Sequence, residues 1–172
     1  MIRSATVADA DAIARIYNHY VTDTIVTFEE TPLPADEMAR RIGLTLGGSW
    51  PWFVLEDDGR VQGYAYASPW KSRIGYRFTL ESTVYLDPAS TGRGFGSELY
   101  TALFADIATR EVHAVVGGIA LPNEASVRLH ERFGMTKVAH FPEVGLKFGR
   151  WIDVGYWQRT MTWTTTDGAI LA

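Results

Sequence analysis

The stretch Thr91–Tyr100, TGRGFGSELY, sets three glycines at alternating positions just ahead of a helical pattern. Glycines in such numbers let a backbone approach another group closely, or take torsions that other residues avoid. Downstream, Leu99, Leu103 and Ile107 recur at helical spacing with Tyr100 and Phe104 beside them. Upstream, Arg77–Pro88 (RFTLESTVYLDP) reads as a strand stopped at Asp87-Pro88. Strand, glycine loop and helix together form an arrangement in which backbone N–H groups and a helix N-terminus hold phosphate. Two common versions do not fit. A Walker loop needs Lys and then Ser or Thr after its last glycine, whereas Gly96 is followed by Ser97-Glu98. A dinucleotide fingerprint needs two residues between its second and third glycines, and only Phe95 separates Gly94 from Gly96. Neither ATP nor NAD is the expected ligand.

The remainder of the chain reads as one α/β domain over residues 1–163 followed by a tail, TTTDGAILA, at 164–172. Ile2–Ser4 begins a short strand. Thr6 and Asp9 form a capping-box variant ahead of a helix carrying Ile13, Ile16, Tyr17 and Tyr20. A second helix follows Pro34, buries Met38, Ile42 and Leu46, and ends at Gly47-Gly48. Trp50–Ser68 reads as a hairpin about Asp58-Gly59. Val112–Leu121 (VHAVVGGIAL) has the pattern of a strand buried on both faces, Pro122–Gly134 that of a helix ended by glycine, and Arg150–Trp163 that of a last strand.

Composition narrows the function classes. At 47% hydrophobic and 21% charged residues the chain has the make-up of a soluble globular protein. A net charge of −4 gives no general reason to bind nucleic acid or an anionic membrane, so an anionic ligand has to be held by local groups. The chain has no cysteine, which removes disulfides, thiolate metal sites and a cysteine nucleophile together. With no apolar run long enough to span a bilayer and aspartates where a signal peptide has its apolar core, a cytoplasmic protein is expected.

Two segments resemble the GNAT acetyltransferases. Ser90–Phe104 (STGRGFGSELYTALF) is similar to that family's pyrophosphate loop, Gln/Arg-x-x-Gly-x-Gly/Ala, with Gly94 and Gly96 on the small positions and Thr91 where the family prefers Gln or Arg. Leu121–Met135 (LPNEASVRLHERFGM) is similar to the family's Asn-x-x-Ser-x-x-Leu-Tyr segment, with Asn123, Ser126, Leu129 and Gly134 in place and His130 at the tyrosine. The segments ESTVYLDP, PWKSR and KFGRWIDVGYWQR extend the likeness, from about residue 2 to 161, to the phosphinothricin and methionine sulfoximine N-acetyltransferases.

The resemblance implies a mixed, mostly antiparallel sheet flanked by helices, acetyl-CoA as co-substrate, no metal, and a homodimer acting on the α-amine of a small amino acid. It implies acetyl-CoA contacts at Val84, Tyr85 and Leu86, at Thr91, Gly92, Arg93, Gly94, Phe95, Gly96 and Ser97, and at Asn123 and Ser126. The chemistry asks for a base, because an α-amine titrates near about 8 and an ammonium cannot attack a thioester. Glu81 falls on the family's strand glutamate, and strand alternation sets it on one face with Thr79, Thr83 and Tyr85. His130 is either the donor to a leaving thiol or a packed helix histidine, and Asn123 either meets the cofactor's arm or the loop around it, or caps its helix, the two roles being compatible. For the amino acid, Arg77 is the expected carboxylate partner, ahead of Lys71 and Arg73, with Phe28, Glu29 and Trp70 along the pocket. Acetylation of peptide N-termini and a non-catalytic CoA sensor are the competing readings.

Overall fold

The structure, a computed structural model, describes residues 1–162; the tail expected at 164–172 lies outside the described residues. Seven strands, β1 (Ile2–Ser4), β2 (Trp52–Asp57), β3 (Arg60–Pro69), β4 (Thr79–Leu86), β5 (Ala114–Leu121), β6 (Thr136–Lys147) and β7 (Arg150–Thr160), form one sheet in the order β1-β2-β3-β4-β5-β7-β6. Every neighbouring pair is antiparallel except β4–β5. The mixed, mostly antiparallel sheet expected from the sequence is present.

Four helices cover it: α1 (Ala10–Asp23), α2 (Ala35–Gly47), α3 (Phe95–Ile107) and α4 (Glu124–Arg132). Period-2 alternation in the strands gives the sheet two apolar faces. One carries Val54 and Tyr64 against Ile13, Ile16, Met38 and Ile42 of α1 and α2. The other carries Leu80 and Val115 against Leu99, Leu103 and Ile107 of α3, with Leu129 of α4 at its margin. The capping box holds, since Thr6 N–H donates to Asp9 Oδ2 at 2.7 Å, although it opens a short 3₁₀ turn ahead of α1. The hairpin also holds. Asp58 and Gly59 take φ of 50° and 71°, the left-handed pair that a two-residue turn requires.

β6 has no counterpart in the sequence reading. Pro142 interrupts its alternation, Glu143 has positive φ, and its register against β7 shifts twice, at Lys137/Ala139 and Phe141/Gly145. A proline and bulges are tolerated there because β6 is the edge of the sheet.

The feature that makes a site is a parting of strands. β4 and β5 pair only at Thr79–Glu81 against Ala114–Val116, and both then run on unpaired with each other. A wedge opens beyond Glu81. The glycine loop and the N-terminus of α3 follow β4 out of it.

Candidate active site

Two hollows adjoin at the wedge. A cavity of about 500 Å³ holds Glu81, Glu29 and His130, and a groove of about 750 Å³ runs along the glycine loop. Val84, Tyr85, Asn123 and Ser126 line both. Residues that the sequence scattered over four segments therefore meet in one place.

Glu81 is half-buried in β4, opposite Ser68 of β3 and Val116 of β5. Its Oε1 lies 3.5 Å from the point a β-carbon on Gly118 would occupy, so the bare backbone of β5 leaves it room. Burial raises its pKa above the ordinary carboxylate value, and the Lys71 ammonium pulls it back in part. No hydrogen bond to the carboxylate forms among the described residues. Nor is either oxygen sealed from solvent. A carboxylate with a raised proton affinity, no protein partner and an opening onto a cavity is available to take a proton.

The glycine loop fits a phosphate-bearing group. Gly94, the N-cap of α3, has φ of +87°, and Gly92 has +77°. A β-carbon at either would meet nothing within 4 Å, so the loop lies open to the groove. The first N–H groups of a helix lack intrahelical partners and suit an anion. Gly96 lines the groove and has a packing reason to be small as well. A β-carbon there would press on Leu129 at 3.3 Å, so it lets α3 seat against α4. Thr91, Gly92, Gly94, Gly96 and Ser97 line the groove. Arg93 turns away: its guanidinium lies over the Phe95 ring and pairs with Asp57 at 2.6 Å. The groove's cations are instead Arg128 and Arg132 of α4, Arg132 donating to Ser97 Oγ at 3.1 Å. Their i, i+4 spacing in VRLHER was the signal available in the sequence.

Asn123 caps α4, its Oδ1 accepting from Ser126 N–H at 3.1 Å, and lines both hollows as well. His130 is buried, and burial lowers its pKa. Its Nδ1 lies 2.8 Å from the Ser126 carbonyl, which accepts only from an N–H, so Nε2 is left to accept from the Tyr100 hydroxyl at 3.0 Å. Tyr100 in turn meets Ser82 Oγ at 3.3 Å. Both ring nitrogens are thus engaged within the protein.

Of the residues expected along the amino-acid pocket, Glu29 lines the cavity and pairs with Arg41 at 2.6 Å, with the Tyr17 hydroxyl donating to it at 3.1 Å. Phe28 packs its ring onto Gly145 of β6, beside a separate apolar hollow of about 580 Å³. Trp70 stands edge-on to Tyr76 with Lys71 over its ring, and neither Trp70 nor Arg77 lines the cavity. Arg77 is exposed, donates to the Ile74 carbonyl and lies over Phe78. Sequence reasoning missed Arg41, Tyr17 and Tyr66 on the cavity wall. It also missed Lys147, a buried lysine that donates to the Val21 and Glu29 carbonyls and so ties the loop after α1 to β6.

Comparison with known proteins agrees with this geometry. The acetyltransferase (GNAT) domain family matches residues 2–155. A phosphinothricin N-acetyltransferase of Streptomyces viridochromogenes is 43% identical, covering 92% of this chain and 86% of that protein. An L-methionine sulfoximine/L-methionine sulfone acetyltransferase of Salmonella typhimurium is 38% identical, over 91% and 92%. Among solved structures, an acetyltransferase of Salmonella typhimurium with its cofactor acetyl-CoA superposes with a TM-score of 0.92 at 36% identity, covering 96% of both chains. The chain belongs to the GNAT acetyltransferases, and with that family it is an acetyl-CoA-dependent acyltransferase. Its activity is acetyl transfer akin to that of the phosphinothricin and methionine sulfoximine enzymes.

Proposed function

We propose that the chain acetylates the α-amine of a small amino acid or analogue of the phosphinothricin, methionine sulfoximine or methionine sulfone type. Glu81 acts as the general base for direct attack. The observation that carries this is the half-buried Glu81 carboxylate, without a hydrogen-bond partner among the described residues, in a cavity that adjoins the glycine-loop groove. Acetyl-CoA supplies the acyl group already activated as a thioester. Glu81 removes the ammonium proton, the amine nitrogen bonds to the acyl carbon, and the carbon–sulfur bond breaks to release a thiolate, which takes up the second proton of the amine and leaves as CoA thiol. Backbone N–H groups of Val84 and Leu86, which point away from β3 and are freed where β4 parts from β5, face the negative charge that develops on the acyl oxygen. A thiol of pKa about 8.5 leaves without a strong acid. His130, neutral and held between Ser126 and Tyr100, shapes the wall against which it departs. Arg77 and Trp70, on the segment before β4, are the proposed contacts for the amino acid's carboxylate, although neither lines the cavity.

We place the reaction in the cytoplasm, where a chain without cysteine suits reducing conditions. The working unit is a homodimer, and the acceptor is a free small molecule rather than nucleic acid or membrane. The test is thiol release from acetyl-CoA against phosphinothricin, methionine sulfoximine, methionine sulfone, ordinary amino acids, polyamines and short peptides. Release with the first three is expected. Release with peptides alone would instead make the chain an N-terminal acetyltransferase. In Glu81→Gln, turnover should fall by about 10²–10⁴ while acetyl-CoA still binds.

A further inference from the structure

Arg41 of α2 is the one arginine or lysine on the cavity wall among the described residues. Its guanidinium has five N–H donors. Nε donates to Glu37 Oε1 at 2.8 Å, Nη1 to Glu29 Oε1 at 2.6 Å, and Nη2 to Glu29 Oε2 at a long 3.4 Å. Two N–H groups have no protein partner among the described residues. Glu29 accepts from Arg41 and Tyr17 and still has lone pairs to spare. The pair therefore offers a ligand a donor and an acceptor side by side.

Its place relative to the base follows from the sheet register. Glu81 is paired with Ser68, and two residues along the same face Thr83 is paired with Tyr66, which is paired in turn with Trp52 of β2. Ser68, Tyr66 and Trp52 all line the cavity, which thus runs from Glu81 across the sheet toward α2 and Arg41. An amino acid with its amine at Glu81 points its side chain along that path.

Charge selects what the side chain carries. Glu29 pairs with Arg41, and Glu37 with both Arg41 and Arg40, so two carboxylates already match the two guanidiniums and a further full negative charge finds no unmatched cation on the cavity wall among the described residues. An uncharged tetrahedral sulfur group needs none. Its S=O oxygen accepts from Arg41, and a sulfoximine N–H donates to Glu29. A thioether makes neither bond.

We propose that Arg41, with Glu29, is the specificity-determining pair for the acceptor's side chain, selecting an uncharged sulfone or sulfoximine end over a thioether or an anionic phosphinate. The inference rests on the amino-acid acetyltransferase reading and deepens it. The experiment compares methionine sulfone, methionine and phosphinothricin as acceptors for the wild type, Arg41→Met and Arg41→Lys. It also measures calorimetric dissociation constants for the sulfone on the CoA-loaded protein. The wild type should favour the sulfone over both others. Arg41→Met should lower the sulfone-to-methionine ratio of kcat/KM about 10- to 100-fold and weaken sulfone binding to match. Arg41→Lys keeps a cation for Glu29, and so the fold, yet loses the guanidinium donors and should also lose the preference. An unchanged ratio in both variants would overturn the proposal, as would a wild type that favours phosphinothricin or methionine. A wild type that binds acetyl-CoA and acetylates none of the three would overturn the underlying reading, and the proposal with it.

Discussion

At Glu81 burial raises the carboxyl pKa while Lys71 lowers it, and burial is the larger effect. As the proposed general base, Glu81 works only when ionised. The acid limb of kcat/KM should therefore fall at a higher pH than an exposed glutamate would give, and Glu81→Gln should lose that limb along with its turnover. A pH–rate profile of both proteins checks this. Stability moves the other way. A folded-state pKa raised above the unfolded 4.5 contributes stability that is present below 4.5 and is lost as pH rises through the raised value. Glu81→Gln should thus melt higher than the wild type at neutral pH, and the gain should vanish in acid. His130 depends on a neighbouring residue in a different way. A β-carbon on Gly117 would come within 2.5 Å of its Nε2, the atom that accepts from Tyr100. Gly117→Ala should push the ring off that hydroxyl and cost about 1–3 kcal/mol in denaturant unfolding, through strain rather than lost burial.

Among the elements, the loop between α1 and α2 depends on a distant strand. Lys147 is 1% exposed, and its ammonium donates to the Glu29 carbonyl and, at 2.7 Å, to that of Val21 in the last turn of α1. Carbonyls at a helix C-terminus lack partners and favour a cation. Lys147→Met would leave both unpaired, at a cost of about 3 kcal/mol. Because Glu29 rides on this loop, KM for the amino acid should rise while KM for acetyl-CoA holds, and steady-state kinetics with each substrate varied separates the two. The glycine loop allows a similar test. Gly94 sits at φ of +87° with open space around it, so Gly94→Val strains the backbone without a clash, and acetyl-CoA should bind at least ~10-fold more weakly. These two cases show what the sequence made legible. Gly94, Asn123 and Glu81 lie on local patterns, a loop, a cap and a strand, so their places followed from their neighbours in the chain. Arg41 and Lys147 act across 12 and 118 residues to reach Glu29. Nothing local marks them, and β6, which carries Lys147, is hidden by a proline and two register shifts.

For the whole molecule, the unfinished surface is the β6–β7 edge. Val138, Phe141, Val144 and Leu146 on β6, Phe148 at the turn and Trp151 on β7 are all exposed. With Phe28 and Tyr156, several of them surround the apolar hollow beside Gly145. Pro142 and the two bulges blunt backbone pairing along β6, so what stays open is its apolar side-chain surface, and an exposed apolar patch of this kind marks a contact site. A second copy would bring a matching patch without further design, since a two-fold axis sets the same patch against itself. That is the physical support for the proposed homodimer, and it has a consequence for the site. Phe28 packs on β6 one residue before Glu29, and Lys147 of β6 holds the Glu29 carbonyl, so burying the hairpin would stiffen one wall of the substrate cavity. The double variant Val144→Asp, Trp151→Glu places charge at the centre of the patch and leaves Glu81, the glycine loop and Arg41 untouched. Light scattering behind a sizing column should give the wild type twice the 19.2 kDa chain mass and the variant the single mass. The monomer should bind acetyl-CoA as before and show a higher KM for the amino acid. A wild type that runs as a monomer would leave the edge without its proposed partner. A monomeric variant with an unchanged KM would cut the link between the hairpin and the cavity while leaving the dimer intact as an assembly.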